Sequence, residues 1–439
     1  MPLKSFFQSA WGLKGNPFSG KATYAEDSQA VYVPEMFGRQ REEFLRKFVV
    51  APLENGQPLM GAVWSVVPGD PKARGFGKST LMGEEAKQIN ADFGFKTLTD
   101  LGVSDKDARA NPVMAGYVSF NTKANEGIAS IDAACFHLVR FLLRGTDDKG
   151  VTAHQRLRER AAAKLVSAGD AVKGHEAEAI VAAVRERFRK LAVTIDIRNL
   201  LEDFLIGLAS AETVALENFL STVSAWHHNR NGLKYLQIFV AFAELADIQH
   251  FTFFIDQVED FTSESQPAKI RRNVKIIRDA LLESEPFASR ASFIFQLHPD
   301  AYRKLHDAWA HEELRDLNYG SPLNRPYVVV LNGLDNFDAA HVLADRCLND
   351  PQYALPERKP GIHPFTVQTL RKVWMATKPR PRVFIRVLHD LLQLAKDEKV
   401  AVLDERFVDP AKIDALSAKA RRDAEDDVAD EADDNRLAL

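Results

Sequence analysis

Gly75-Phe76-Gly77-Lys78-Ser79-Thr80 follows the apolar run Ala62-Val63-Trp64-Ser65-Val66-Val67 and precedes Leu81-Met82-Gly83-Glu84-Glu85-Ala86-Lys87, a stretch suited to a helix. Strand, glycine-containing loop and helix in this order form a cradle for a phosphate chain. Such a chain needs closely spaced backbone N–H donors, the positive end of a helix, an ammonium group and a hydroxyl able to ligate Mg²⁺, and this segment supplies all four. Glycine lets the backbone close around the phosphates. The usual spacing puts an earlier glycine at position 72, but this chain has Lys72 there and its nearest earlier glycine is Gly69. The loop Pro68-Gly69-Asp70-Pro71-Lys72-Ala73-Arg74 is therefore longer than normal.

The chain has 439 residues, 46% of them apolar, enough for two or three domains with sizeable cores. Its longest apolar runs, such as Phe251 to Ile255, fall far short of the roughly 20 residues that span a bilayer, so no membrane partner is expected. The start, Met1-Pro2-Leu3-Lys4-Ser5-Phe6-Phe7, lacks a signal peptide's apolar core and cleavage site, and a cytoplasmic location is expected. Cys135 and Cys347 lie in apolar helical patterns and read as buried structural thiols. The formal net charge is −4, yet Asp423 to Asp434 holds eight acidic residues and no basic one, which leaves the remainder near +4 (−4 minus −8). This run reads as a disordered, solvated tail.

Around the loop, Phe37 to Leu45 starts an amphipathic helix, and Ala115 to Phe120 reads as a second strand followed by a helix over 128–143. From about 150 to 230 the chain is alanine-rich, charged and nearly free of proline, a helical insertion whose basic residues, interleaved with glutamates, suit solvated helix faces better than nucleic-acid contacts. Then come the apolar strands Phe251 to Asp256, Ser292 to Gln296 and Tyr327 to Leu331, alternating with helices. That alternation predicts an α/β fold: a parallel sheet in three layers with helices on both faces. The expected domains are a nucleotide-binding core over 1–335 with its insertion, a helical lid over 336–395, and an extension over 396–439 that ends in the acidic tail.

Hydrolysis needs a carboxylate to hold Mg²⁺ and a group to orient the attacking water. Asp256, at the carboxyl end of a buried strand, is the candidate for the first, with Ser79 as the second metal-binding group. The residue after it is Gln257, which can orient water without taking its proton, and Glu259 and Asp260 are nearby substitutes. Gln296 closes the next strand, where it either senses the γ-phosphate or caps the strand. His298 reads as a helix-start residue before Pro299-Asp300.

Taken in order, these pieces resemble the AAA+ ATPases, in particular the clade of origin-recognition and replication-initiator proteins with transposition and phage-defence ATPases. Asn16-Pro17-Phe18 and Phe37-Gly38-Arg39-Gln40-Arg41-Glu42 look like that clade's adenine-side box. Gly77-Lys78-Ser79-Thr80 resembles its Walker A motif, Phe253-Phe254-Ile255-Asp256-Gln257 its Walker B motif, and Gln296 stands at sensor 1. Val329 to Asp338 is similar to the entry into the clade's lid, and Lys378-Pro379-Arg380-Pro381-Arg382-Val383-Phe384 to its sensor-2 segment. There Arg382 is the chosen γ-phosphate arginine, because Leu388 follows where the family buries a leucine, and Arg380 is the runner-up. The resemblance implies ATP and Mg²⁺ as cofactors, a P-loop NTPase core, and self-association in which Arg315 or Arg325 reaches a neighbouring subunit's nucleotide. Two departures are the long loop and Gln257, where hydrolytic relatives commonly carry Glu. The 25 residues from Lys396 to Ala420 are too few for the winged-helix domain that many initiators carry.

The sequence reading is thus an ATP-binding, slowly hydrolysing switch that oligomerises and acts on DNA or a DNA-bound partner. The alternative is a non-hydrolysing, nucleotide-bound scaffold that recruits proteins through its insertion and tail. A kinase on the same loop leaves the lid-like segment unexplained.

Overall fold

The computed structural model describes residues 5–18, 32–67, 75–120, 130–190, 198–222, 225–258 and 267–426. The loop Pro68 to Arg74, the pair Glu259 and Asp260, and the acidic run past Asp426 lie outside them; the run's first part, Asp423 to Asp426, ends the helix Pro410–Asp426 rather than starting a disordered tail. The chain divides into two compact units, a larger one of Glu42–Val63 with Met82–Val329 and a smaller one of Met1–Arg41, Trp64–Leu81 and Val330–Leu439.

Five strands, β1 Met60–Ser65, β2 Val113–Ser119, β3 His250–Asp256, β4 Ala291–Leu297 and β5 Val328–Leu331, form one sheet in the order β2-β3-β4-β1-β5. β2 pairs with β3 and β3 with β4 in parallel, in register from Val113 opposite His250 to Ser119 opposite Asp256. β1, β3 and β4 are buried at every position, as expected of strands covered on both faces, which is why they appear as unbroken apolar runs. The α/β class follows directly. β1 and β5 carry the chain out of the larger unit, at Trp64 and Val330.

In the larger unit the helix Ile131–Arg144, capped by Ser130, packs on β2 and against the long helix Ala225–Leu245. The two helices approach so closely that a Cβ on Gly232 would lie 1.6 Å from Asp132 O. The insertion is helical: Ala153–Ala168, Glu176–Lys190, Arg198–Ala209 and Thr213–Thr222. Several of its cations, partly or fully exposed as the sequence reading expects, also tie it to the rest of the unit. Arg156 donates to Ala91 O at 2.5 Å and Asn90 O at 2.8 Å and lies 4.6 Å over the Phe93 ring, while Arg187 pairs with Glu244 at 2.8 Å and Arg160 donates to Ala246 O at 3.0 Å. Helical periodicity cannot reveal these partners, which are remote in sequence.

The smaller unit is built on helices Phe337–Leu348, Val367–Thr377, Pro381–Asp397 and Pro410–Asp426. Its core also takes Phe7, Trp11, Leu13 and Phe18 from the chain's start, with Trp11 Nε1 donating to Ala401 O at 2.9 Å. Asn16 is structural: its amide donates to His389 O and its carbonyl accepts from Phe18 N, each at 3.1 Å. Leu388 is fully buried, as its place on the helix requires. Both cysteines are buried; burial raises the Cys135 thiol pKa well above its usual range and that of Cys347 to about 12. Among the described residues no helix is long and apolar enough to cross a membrane.

Candidate functional site

The smaller unit contains the phosphate-loop residues. Gly75 and Gly77 have φ of +83° and +77°, in the region open to glycine at little cost. The helix Lys78–Asp92 begins at once, its first bond running from Leu81 N–H to Gly77 O at 2.8 Å. Lys78 is 5% exposed, and its ammonium donates to the hydroxyl of Ser65, the last residue of β1 and itself fully buried. Ser79 and Thr80, in the first turn, are partly exposed. That first turn carries no acidic side chain to occupy the helix's positive end.

Two further sequence candidates meet this loop. A Cβ on Gly77 would lie 3.0 Å from Phe37 Cζ, so that ring rests against the loop while the nearby Arg39 is exposed. A Cβ on Gly75 would lie 2.9 Å from Arg382 Cβ, and Arg382 N–H donates to Gly75 O at 3.2 Å. Arg382 is the second residue of the helix Pro381–Asp397, which also has no acidic side chain in its first turn and no side-chain cap. Two helix N-termini thus lie at one glycine loop beside a lysine and an arginine, an arrangement that favours an anion. Arg380 is the N-cap of that same helix. The segment is held from its other side as well, since Leu334 N–H donates to Pro379 O at 2.8 Å and Gly333, at φ +67°, leaves no room for a side chain. Phe76 is buried next to Gly333.

The larger unit holds the other candidates. Asp256, 1% exposed, accepts from the Tyr117 hydroxyl at Oδ2 and from Gln257 N–H at Oδ1, both at 2.7 Å. These bonds hold the carboxylate rigidly. Gln257 takes φ +52°, a left-handed conformation that costs a side-chain-bearing residue roughly 1–2 kcal/mol and that its bond to Asp256 helps offset. Gln296 is buried at the end of β4, the strand that separates β3 from β1 in the sheet. His298 Nδ1 accepts from Ala301 N–H at 3.2 Å and so caps the helix Pro299–His311. Arg315 is exposed and lies 3.7 Å over the Tyr327 ring; Arg325 is exposed, and its carbonyl accepts from Lys47 at 2.6 Å.

Among the described residues no group of three or more His, Cys, Asp or Glu side chains could hold a metal unaided. Mg²⁺ does not require one, because it commonly binds through one or two protein oxygens with phosphate and water completing its shell. The partly exposed Ser79 hydroxyl suits that mode. A cavity of about 390 Å³ lined by Arg46, Lys47, Glu54 and Tyr327 contains none of the candidate residues.

Sequence reasoning missed Ser65 and Tyr117. Ser65 gave a faint signal as a polar residue ending an apolar strand, whereas Tyr117 gave none, since a tyrosine inside an apolar run reads as core. Compared with protein-family models, with curated proteins and with solved structures, the chain matches none of them.

Proposed function

We propose that the chain binds a nucleoside triphosphate, ATP with Mg²⁺, and serves as a slowly hydrolysing switch of the AAA+ type. The observation that carries this reading is the gathering of Gly75, Gly77, Lys78 and Arg382 in one compact unit, with two helix N-termini free of acidic side chains in their first turns. Lys78 and the loop N–H groups would grip the phosphates, Phe37 would flank the loop on the base side, and Ser79 would offer its hydroxyl to the metal. Mg²⁺, when bound, supplies neutralisation of phosphate charge. Asp256, an anionic side chain held by hydrogen bonds from the Tyr117 hydroxyl and Gln257 N–H at the end of β3, is the carboxylate whose removal tests hydrolysis. Arg382 belongs to both the loop's surroundings and the helix Pro381–Asp397, so a change in its phosphate contact would pass into that helix.

The test is titration of the purified protein with a fluorescent ATP analogue. Lys78→Ala should weaken binding by roughly 10- to 100-fold, the range for a hydrogen bond to a charged group. Unchanged affinity would overturn the reading. Self-association and action on DNA are the proposal's further parts, and sizing with and without ATP and duplex DNA tests both.

A second reading, a non-hydrolysing scaffold, draws on Gln257, which follows Asp256 and is no base. Phosphate release that is present in the wild type and lost in Asp256→Asn excludes it.

A further inference from the structure

We propose that Ser65 is a positioning residue for Lys78, setting the lysine ammonium in place for the β- and γ-phosphates of a nucleotide. The inference rests on the nucleotide-binding reading above and deepens it. β1 is apolar except at its last residue, where Ser65 is fully buried at the point from which the phosphate loop departs. Lys78 stands where the loop ends and the helix begins. The bond from the Lys78 ammonium to Ser65 Oγ therefore ties together the two ends of the loop.

Three physical points make this more than a convenient contact. A lysine only 5% exposed needs hydrogen-bond acceptors for its ammonium, and Ser65 Oγ is one that fixes where the charge sits. Lysine is a flexible four-carbon stem with a point charge at its end, and anchoring it before a ligand arrives moves its ordering cost from binding to folding. A hydroxyl can accept from the ammonium while donating its own proton elsewhere, so Ser65 can keep its hold on Lys78 when a phosphate oxygen joins the group. A methyl group at this position would leave the charge without its strand-end acceptor. Alanine at 65 should therefore damage recognition of the outer phosphates selectively.

The experiment measures ATP and AMP affinity, by competition against the fluorescent analogue, for the full chain carrying Ser65→Ala or Ser65→Thr. Ser65→Ala should lose about tenfold in ATP affinity, the size of one hydrogen bond to a charged group. AMP affinity should hold within about twofold, and Ser65→Thr, which keeps the hydroxyl, should recover most of the ATP loss. A role confined to stability would lower both ligands equally, and that result, or no change in either, would overturn the assignment. If circular dichroism shows Ser65→Ala unfolded, Ser65→Cys keeps the volume with a weak acceptor and must show the same selective loss; equal retention of both ligands counts against the proposal. Lys78→Ala measured alongside separates the two ideas. A wild type that binds no ATP ends the nucleotide reading, whereas wild-type binding lost in Lys78→Ala but kept in Ser65→Ala ends only the role of Ser65.

Discussion

Replacing Gly333 with alanine should loosen the clasp that holds the Arg382 segment. At φ +67° an alanine costs roughly 1–2 kcal/mol through its Cβ alone. The added atom would lie 2.1 Å from Pro379 O, with Phe76 Cδ1 at 3.0 Å and Pro381 Cδ at 3.2 Å closing its ways of retreat. A backbone oxygen cannot swing aside as a side chain can. The two segments must part, and the 2.8 Å bond from Leu334 N–H to that oxygen is lost at a further cost of about 1 kcal/mol. The total, about 2–3 kcal/mol, corresponds to roughly 30- to 150-fold more frequent local opening. Native-state hydrogen exchange of the Leu334 amide in the full chain reads this directly. Gly150→Ala is the control: φ is +77° there, but nothing lies within 4 Å of the added Cβ, so only the conformational cost applies. Exchange at Leu334 unchanged in Gly333→Ala, or a total destabilisation no larger than that of Gly150→Ala, would refute the reasoning.

Two other outcomes follow from buried groups in the larger unit. Burial, with a smaller contribution from Arg290, pushes the pKa of His250 down to about 3, while its unfolded value is near 6.5. Between these values the unfolded chain binds a proton that the folded chain refuses, so this contribution is intact above about pH 6.5 and falls by up to about 1.4 kcal/mol per unit as the pH drops toward 3. Urea midpoints from pH 7 to pH 4 should show a slope in the wild type that His250→Gln reduces; parallel curves would count against it. Tyr117→Phe removes the donor to Asp256 Oδ2 and leaves a buried carboxylate short of a partner, at a cost of about 1–3 kcal/mol in urea denaturation. A midpoint within error of the wild type would contradict the tie between β2 and β3.

The sheet was legible because its strands are buried on both faces, so that Phe251 to Ile255 and Ser292 to Phe295 stand out as apolar runs between helices. Local motifs were legible as well, since Gly75, Gly77 and Lys78 lie within four residues of one another. What escaped depends on contacts remote in sequence. Trp11 and Phe18 complete a core whose helices begin at Phe337, and no periodicity near residue 11 can announce that. The amphipathic pattern that starts at Phe37 to Leu45 does not announce that, after Gly38–Leu45, the helix widens into a π-helical turn at Arg46–Val50 before Ala51–Asn55. Tyr117 was hidden because only its hydroxyl is unusual, and its role depends on Asp256, 139 residues away. The anchoring of Arg156 was hidden for the same reason, since its carbonyl partners lie 65 and 66 residues earlier.

The smaller unit is assembled from three stretches of chain that end at Arg41, Leu81 and Leu439. A chain emerging from the ribosome therefore makes the phosphate loop long before it makes the helix that carries Arg382. Until synthesis passes Val330, Gly75 has no Arg382 N–H to receive and Trp11 no core to enter. The unit thus waits on the whole of 82–329, and the long loop closures this requires slow its formation more than they weaken it once formed. A fragment cut at residue 335 would keep the motif in writing and lose the body that shapes it.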